Sequence, residues 1–339
     1  MTREGMTVEL SEERVSAGNN YRKYLIPSVA ARLSNLELIA KLVVEGFMAG
    51  LHKSPYHGFS VEFAEHRQYM PGDDLKHLDW KVYARTNRYY IKQYEEETNL
   101  KSYILLDMSR SMAYSSELKK SDGKKSIFGQ KKNTKETIPP DKQLTKLEYA
   151  SYLAASLAYL MVLQRDAVSL TTYDTKIRKY IPPKSTNANL KLILKELSQI
   201  KPDDRTGTAA SLNEIADKIK RRGLIIIISD FFDNQDEVIS AFRHFRYDKN
   251  EVIVFQVLDP VEISFLKGNP VTLIDMETKE EMYSQPLSVQ KAYTEAMSEF
   301  IHKYKTECRK NNIDYITLST ETPFDTGLLR YLNRRKKSL

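Results

Sequence analysis

Residues 101–111 read KSYILLDMSRS. The run from Tyr103 to Leu106 is apolar on consecutive positions rather than alternate ones, which is the mark of a short strand covered on both faces. It stops on an acid, Asp107, and two hydroxyls follow at alternate positions, Ser109 and Ser111. A second run, LIIIISD at residues 224–230, has the same form and stops on Asp230. Strand-like and helix-like segments alternate around these two. KLEYASYLAASLAYLMVLQ is a helix with Leu147, Ala150, Ala154, Leu157 and Met161 on one face; DAVSLTTY is a strand and KIRKYIP an edge strand. NANLKLILKELSQI and TAASLNEIADKIKRRG are helices, DEVISAFRHFRYD is another, and EVIVFQVLD, PVTLID and IDYITLS are strands. A long helix covers SVQKAYTEAMSEFIHKYKTECRKN. This rhythm predicts an α/β fold, a doubly wound and mostly parallel sheet, over residues 100–335. Ligands of such sheets sit outside the carboxyl ends of the strands, so Asp107 and Asp230 are expected on one rim.

Upstream the pattern is different. Residues 1–20 read as a flexible leader, and 21–99 as a smaller mixed α+β region. VAARLSNLELIAKLVVEGFMAGLH has helical periodicity, FSVEFAEHRQYM and RYYIKQYEEE suit strands, and LKHLDWKVYART suits a short helix. Between them PGDD is a turn, with Asp73 or Asp74 as a helix cap. Trp80, the only tryptophan, is expected to fix this segment in the core. Arg67 and Arg85 are expected to pair with Asp73, Asp74 or Asp79. An insertion at 115–142 holds eight lysines and four acids, an excess of +4, and reads as a solvated basic loop.

Composition narrows the class. With 41% hydrophobic and 29% charged residues the 339-residue chain is an ordinary globular protein. Its net charge of +7 permits acidic partners without choosing among them. Cys308 is the single cysteine, so an intramolecular disulfide is excluded and a reducing compartment is expected. The polar start has no signal core, and the LIIIIS run is far shorter than a membrane span. The expected location is the cytoplasm, with peripheral membrane attachment as the alternative. Six histidines show no zinc spacing, and no glycine-rich phosphate loop is present. No catalytic constellation emerges, and the chain is not expected to be an enzyme.

The rim residues have a chemistry of their own. A carboxylate and two hydroxyls are hard oxygen donors, suited to Mg²⁺, with Mn²⁺ or Ca²⁺ as alternatives. A further hydroxyl comes from DRTGTAAS, where Gly207 permits a tight bend and Thr208 begins a helix; Thr206 is the alternative donor. Asp230 is expected to act through a water. A dication so held is short of negative ligands and would draw a carboxylate from outside. The plainer alternative is that the serines cap a helix and Asp107 ends its strand in solvent.

DMSRSM resembles the metal-ion-dependent adhesion site of von Willebrand factor A-like proteins. FAEHRQYMPGDDLKHLDWKVYART is very similar to the R-x-Y-x-P-G-D-D … D-W … A-R signature of the domain of unknown function 58 family. LLDMSRSM, KLEYA and ISDFFD match that family in order, so the resemblance runs from about residue 45 to 260. It implies a metal-binding protein-interaction domain, with Asp107, Ser109, Ser111, Thr208 and Asp230 as the metal set. GTAASL departs from the family's G-T-x-L form, which leaves Thr206 open beside Thr208. By analogy the resemblance implies a partner that presents Asp or Glu, and a MoxR-type AAA+ ATPase in a chaperone-like or assembly role. The alternatives are a metal-dependent hydrolase on the same rim and nucleic-acid binding through the basic insertion.

Overall fold

The computed structural model describes residues 26–30, 35–51, 66–69, 80–92, 101–116, 143–202, 207–265, 271–274 and 281–338. The leader, the PGDD turn with Asp73, Asp74 and Asp79, residues 117–142 of the insertion, and Thr206 lie outside them.

Among the described residues two helices come first, α1 (Pro27–Ala30) and α2 (Leu36–Leu51). β1 (His66–Gln68), α3 (Trp80–Thr86) and β2 (Tyr90–Lys92) follow, with β1 and β2 paired antiparallel. The central unit then runs β3 (Lys101–Asp107), α4 (Lys146–Leu163), β4 (Ala167–Tyr173), β5 (Ile177–Lys184), α5 (Asn187–Gln199), α6 (Thr208–Lys218), β6 (Leu224–Ser229), α7 (Gln235–Tyr247) and β7 (Glu251–Leu258). It ends with α8 (Pro260–Ser264), the antiparallel pair β8 (Val271–Ile274) and β9 (Glu281–Ser284), α9 (Pro286–Lys310), β10 (Asp314–Ser319) and α10 (Asp325–Ser338).

Six strands form one sheet in the order β10-β7-β6-β3-β4-β5. All neighbours are parallel except β4 and β5, which make an antiparallel edge. Pro182 and Pro183 fit this edge, where a missing N–H costs least. β3 lies inside the sheet. From it the chain winds outward through β4 to β5, then crosses to β6 on the other flank of β3. The order of winding reverses between β3 and β6, and these are the two strands that end on Asp107 and Ser229-Asp230.

Consecutive residues of the central strands serve opposite layers. Ile104, Leu106, Ile226 and Ile228 point toward α2, α4, α5 and α10, and share a core with Val43, Leu153, Ile193 and Leu328. Tyr103, Leu105, Ile225 and Ile227 point toward α6, α7 and α9, with Leu212, Phe242 and Tyr304. This double cover is why LIIIIS shows no alternation. α4 departs from the single apolar face that its sequence suggests: fourteen of its eighteen residues are buried. It lies under α2 as well as on the sheet, so nearly every side of it meets protein. Its start is fixed by a capping box, in which the Thr145 side chain accepts from Glu148 N and the Glu148 side chain from Thr145 N.

Trp80 does not enter the core as the sequence suggested. It is 63% exposed, and its described ring contact is edge-on to Tyr83, which stacks on Tyr89. Among the described residues no helix is long and apolar enough to cross a membrane.

The turn into β6 depends on a close approach. A Cβ on Gly223 would stand 2.2 Å from the carbonyl oxygen of Lys101 and 2.9 Å from the Tyr103 ring. The Gly223 N–H donates to Asn250 Oδ1 at 3.0 Å, and its carbonyl accepts from Glu251 N at 2.9 Å, so the backbone is tied from two sides. Gly223→Ala is expected to destabilise the fold by about 1–3 kcal/mol, the range of an overpacked core site. A urea-denaturation midpoint equal to wild type would contradict this.

Candidate functional site

The rim is built at the carboxyl ends of β3 and β6. Asp107 closes β3 and is fully buried. Its Oδ1 accepts from the Ser109 N–H at 2.8 Å, which folds the chain back over the strand end. Its Oδ2 accepts from the Ser229 hydroxyl at 2.6 Å and from the Thr208 hydroxyl at 3.3 Å. Ser109 and Ser111 then approach each other, Oγ to Oγ, at 3.1 Å. A turn of 3₁₀ helix over Arg110–Ala113 makes this possible, and Met112, fully buried, pins the turn into the core.

Four of the five residues singled out in the sequence therefore converge: Asp107, Ser109, Ser111 and Thr208. The plainer alternative fails on two observations. Ser109 occupies the N-cap position but makes no side-chain cap hydrogen bond. Asp107 has no exposure to solvent at all. Burial, followed by the nearby Asp230 carboxylate, pushes the Asp107 carboxyl up to about 7, against the pull of its hydrogen bonds to Ser229 and Ser109.

Thr208 is the first residue of α6 and is fully buried. The glycine before it has a different reason from the bend expected of it. Gly207 has φ −148°, open to any residue, but a Cβ there would lie 2.8 Å from Thr175 Cα. The close approach brings the start of α6 against the loop after β4. Two bonds hold it: Ser211 Oγ donates to the Asp174 carbonyl at 2.8 Å, and Ala209 N donates to Asp233 Oδ2 at 3.2 Å.

Asp230 is placed on the rim but is engaged differently. Its Oδ2 lies 2.7 Å from the Lys146 ammonium, and its Oδ1 accepts from Phe232 N at 3.3 Å. The ammonium also meets Glu262 Oε1 at 2.7 Å. Lys146 is held above its usual pKa because Asp230 and Glu262 outweigh the opposing effect of burial, the largest single influence. Glu262 is raised by burial, despite the Lys146 ammonium. Beside this triad, Asp259 Oδ2 accepts from Ser116 N at 3.1 Å, and Ser116 Oγ donates to Gln143 Oε1 at 2.9 Å. The two ends of the basic insertion are thus clasped at the rim.

Sequence reading missed Ser229, Lys146 and Glu262. Two signals were available. A lysine in the first helical turn opposes the helix dipole and calls for a local reason. D-P-V-E at 259–262 has capping-box spacing, and both halves of that box form around α8. Cys308 behaves as a plain core residue: burial pushes its thiol up to about 12. Among the described residues no three His, Cys, Asp or Glu side chains gather into a metal-holding group.

Ser229 joins the two strand ends, since its hydroxyl donates to Asp107 and accepts from Phe231 N at 2.9 Å. Ser229→Ala leaves both groups buried without this partner and is expected to cost about 1–3 kcal/mol. Equilibrium denaturation in urea measures it; a change below about 0.5 kcal/mol would show that the bridge is not needed.

Comparison with known proteins places the chain. An uncharacterized protein of Mycobacterium bovis, Mb1516, is 25% identical over 258 residues, 74% of this chain and 72% of the relative. The uncharacterized protein Rv1480 of Mycobacterium tuberculosis matches with the same values. Among solved structures, the conserved hypothetical protein BatB from Bacteroides thetaiotaomicron superposes with a TM-score of 0.42 at 14% identity, over 70% of this chain and 99% of that one. An aerotolerance-related membrane protein from Bacteroides fragilis gives a TM-score of 0.41 at 16% identity, over 69% of this chain and 99% of that one. Residues 65–127 and 139–302, well over half of the sequence, match the family described as protein of unknown function DUF58, and the chain belongs to that family.

Proposed function

We propose that this protein is a von Willebrand factor A-like interaction module whose rim takes a divalent cation, Mg²⁺ before Mn²⁺ or Ca²⁺, and through it a carboxylate of a protein partner. The observation that carries this reading is the convergence of buried Asp107, Ser109 and Thr208 and half-buried Ser111 at the reversal of the sheet. All the converging side-chain donors are hard oxygens, the set that such ions prefer. Three of the four groups are neutral hydroxyls. An ion held by them keeps an excess of positive charge and room for an external acid. Asp230 then acts at one remove from the ion. The resemblance in DMSRSM, KLEYA and ISDFFD extends the proposal to a MoxR-type AAA+ ATPase as the partner, in an assembly role.

Calorimetric titration of Mg²⁺ into wild type and Asp107→Ala tests the metal. Wild type is expected to give a saturable heat that the variant lacks; equal heats would refute the assignment. Capture of a MoxR-type ATPase by the immobilised protein is expected in Mg²⁺ and not in EDTA, and retention unaffected by EDTA would separate the partner from the ion.

A further inference from the structure

Lys146 is the first residue of α4, and no part of it reaches solvent. A cation is disfavoured there twice: burial removes its hydration, and a helix amino terminus carries partial positive charge. Its surroundings show why it stays. Nζ lies 2.7 Å from Asp230 Oδ2, 2.7 Å from Glu262 Oε1 and 4.8 Å from the centre of the Phe232 ring. Two carboxylates and one aromatic face account for the ammonium's surroundings. Asp230 has its other oxygen on Phe232 N, so both of its oxygens are already in use.

We propose that Lys146 is a resident cation of the rim, which neutralises Asp230 and thereby sets how weakly the rim takes a divalent ion. This rests on the reading of the rim as a divalent-ion site. Asp230 directly follows Ser229, whose hydroxyl, on the strand paired with β3, lies 2.6 Å from Asp107 Oδ2, so the two acids stand on neighbouring strand ends. Anything that neutralises Asp230 therefore also weakens the attraction for an ion beside Asp107. With Lys146 present, the group of Asp230, Glu262 and ammonium carries one net negative charge; without it, two. A site tuned in this way holds its ion firmly only when a further carboxylate joins the shell. The affinity for ion and for partner then rise together, and the Lys146 ammonium links them.

Mn²⁺ titration of the full chain, read by the electron paramagnetic resonance of free Mn²⁺, tests the proposal. Wild type, Asp107→Ala, Lys146→Met, Glu262→Gln and the double variant Lys146→Met/Glu262→Gln are compared. Lys146→Met is expected to bind about tenfold more tightly than wild type, and Glu262→Gln more weakly. Lys146→Met leaves two buried carboxylates without their counter-ion, which threatens folding. The double variant keeps the original net charge and is expected to remain tighter than wild type. Thermal melting supplies a second readout, with a larger rise in Tm on adding Mn²⁺ for both Lys146 variants than for wild type. Unchanged or weaker binding in both Lys146 variants, beside normal binding in wild type, would overturn the role of Lys146 alone. Absence of binding in wild type, or binding that survives in Asp107→Ala, would instead overturn the reading of the rim on which it rests.

Discussion

Two carboxylates, Asp107 and Asp230, stand at the ends of adjacent central strands without contact with water. Charge so placed is unfavourable by several kcal/mol unless it is met by donors or counter-ions. Much of the surrounding architecture answers that demand. Asp107 is met by neutral donors, Ser109 N, Ser229 Oγ and Thr208 Oγ, which soften its isolation without cancelling it. Asp230 is met by a full positive charge. The register pairs Leu106 with Ile228, so Asp107 stands beside Ser229 and Asp230 one residue beyond, and their partners make the two acids unequal.

That inequality follows from topology. β3 is flanked by β4 and β6, and the winding reverses beside it. At such a point the loops leave a strand pair in opposite directions and cannot close over the space between them. The loop after β3 supplies the serines, the start of α6 supplies Thr208, and the start of α4 supplies Lys146. The serines and Lys146 belong to the connection from β3 to β4 and Thr208 to that from β5 to β6, and the close approach of Gly207 to Thr175 brings Thr208 in.

Most of the central unit was legible from residue order alone. Continuous apolar runs marked the strands buried on both faces, and helical periodicity marked α4 to α7 and α9. The site was legible in part: a strand-ending acid followed by hydroxyls at alternate positions signals a rim, and Thr208 was placed by its helix start. Ser229, Lys146 and Glu262 were hidden because their roles depend on pairings across 122, 84 and 116 residues of sequence. Periodicity carries no record of such contacts. Trp80 shows the opposite failure: a large aromatic reads as core, yet it is exposed and its described ring contact is Tyr83. α4 was read as one-sided because its small residues hide a second buried face; alanine and serine at a helix–helix contact look like indifferent surface in a hydrophobicity count.

The clasp between Ser116 and Gln143 has a consequence for how this rim can change over evolutionary time. It joins the two stems of the basic insertion before the intervening chain begins, and Asp259 holds the same stem from β7. The stems are therefore tied to each other and to the end of β7. Doubling the length of a flexible loop costs only about 0.6 kcal/mol of closure entropy. A change in the length between such tied stems thus carries a small entropic cost compared with a change in the stems themselves.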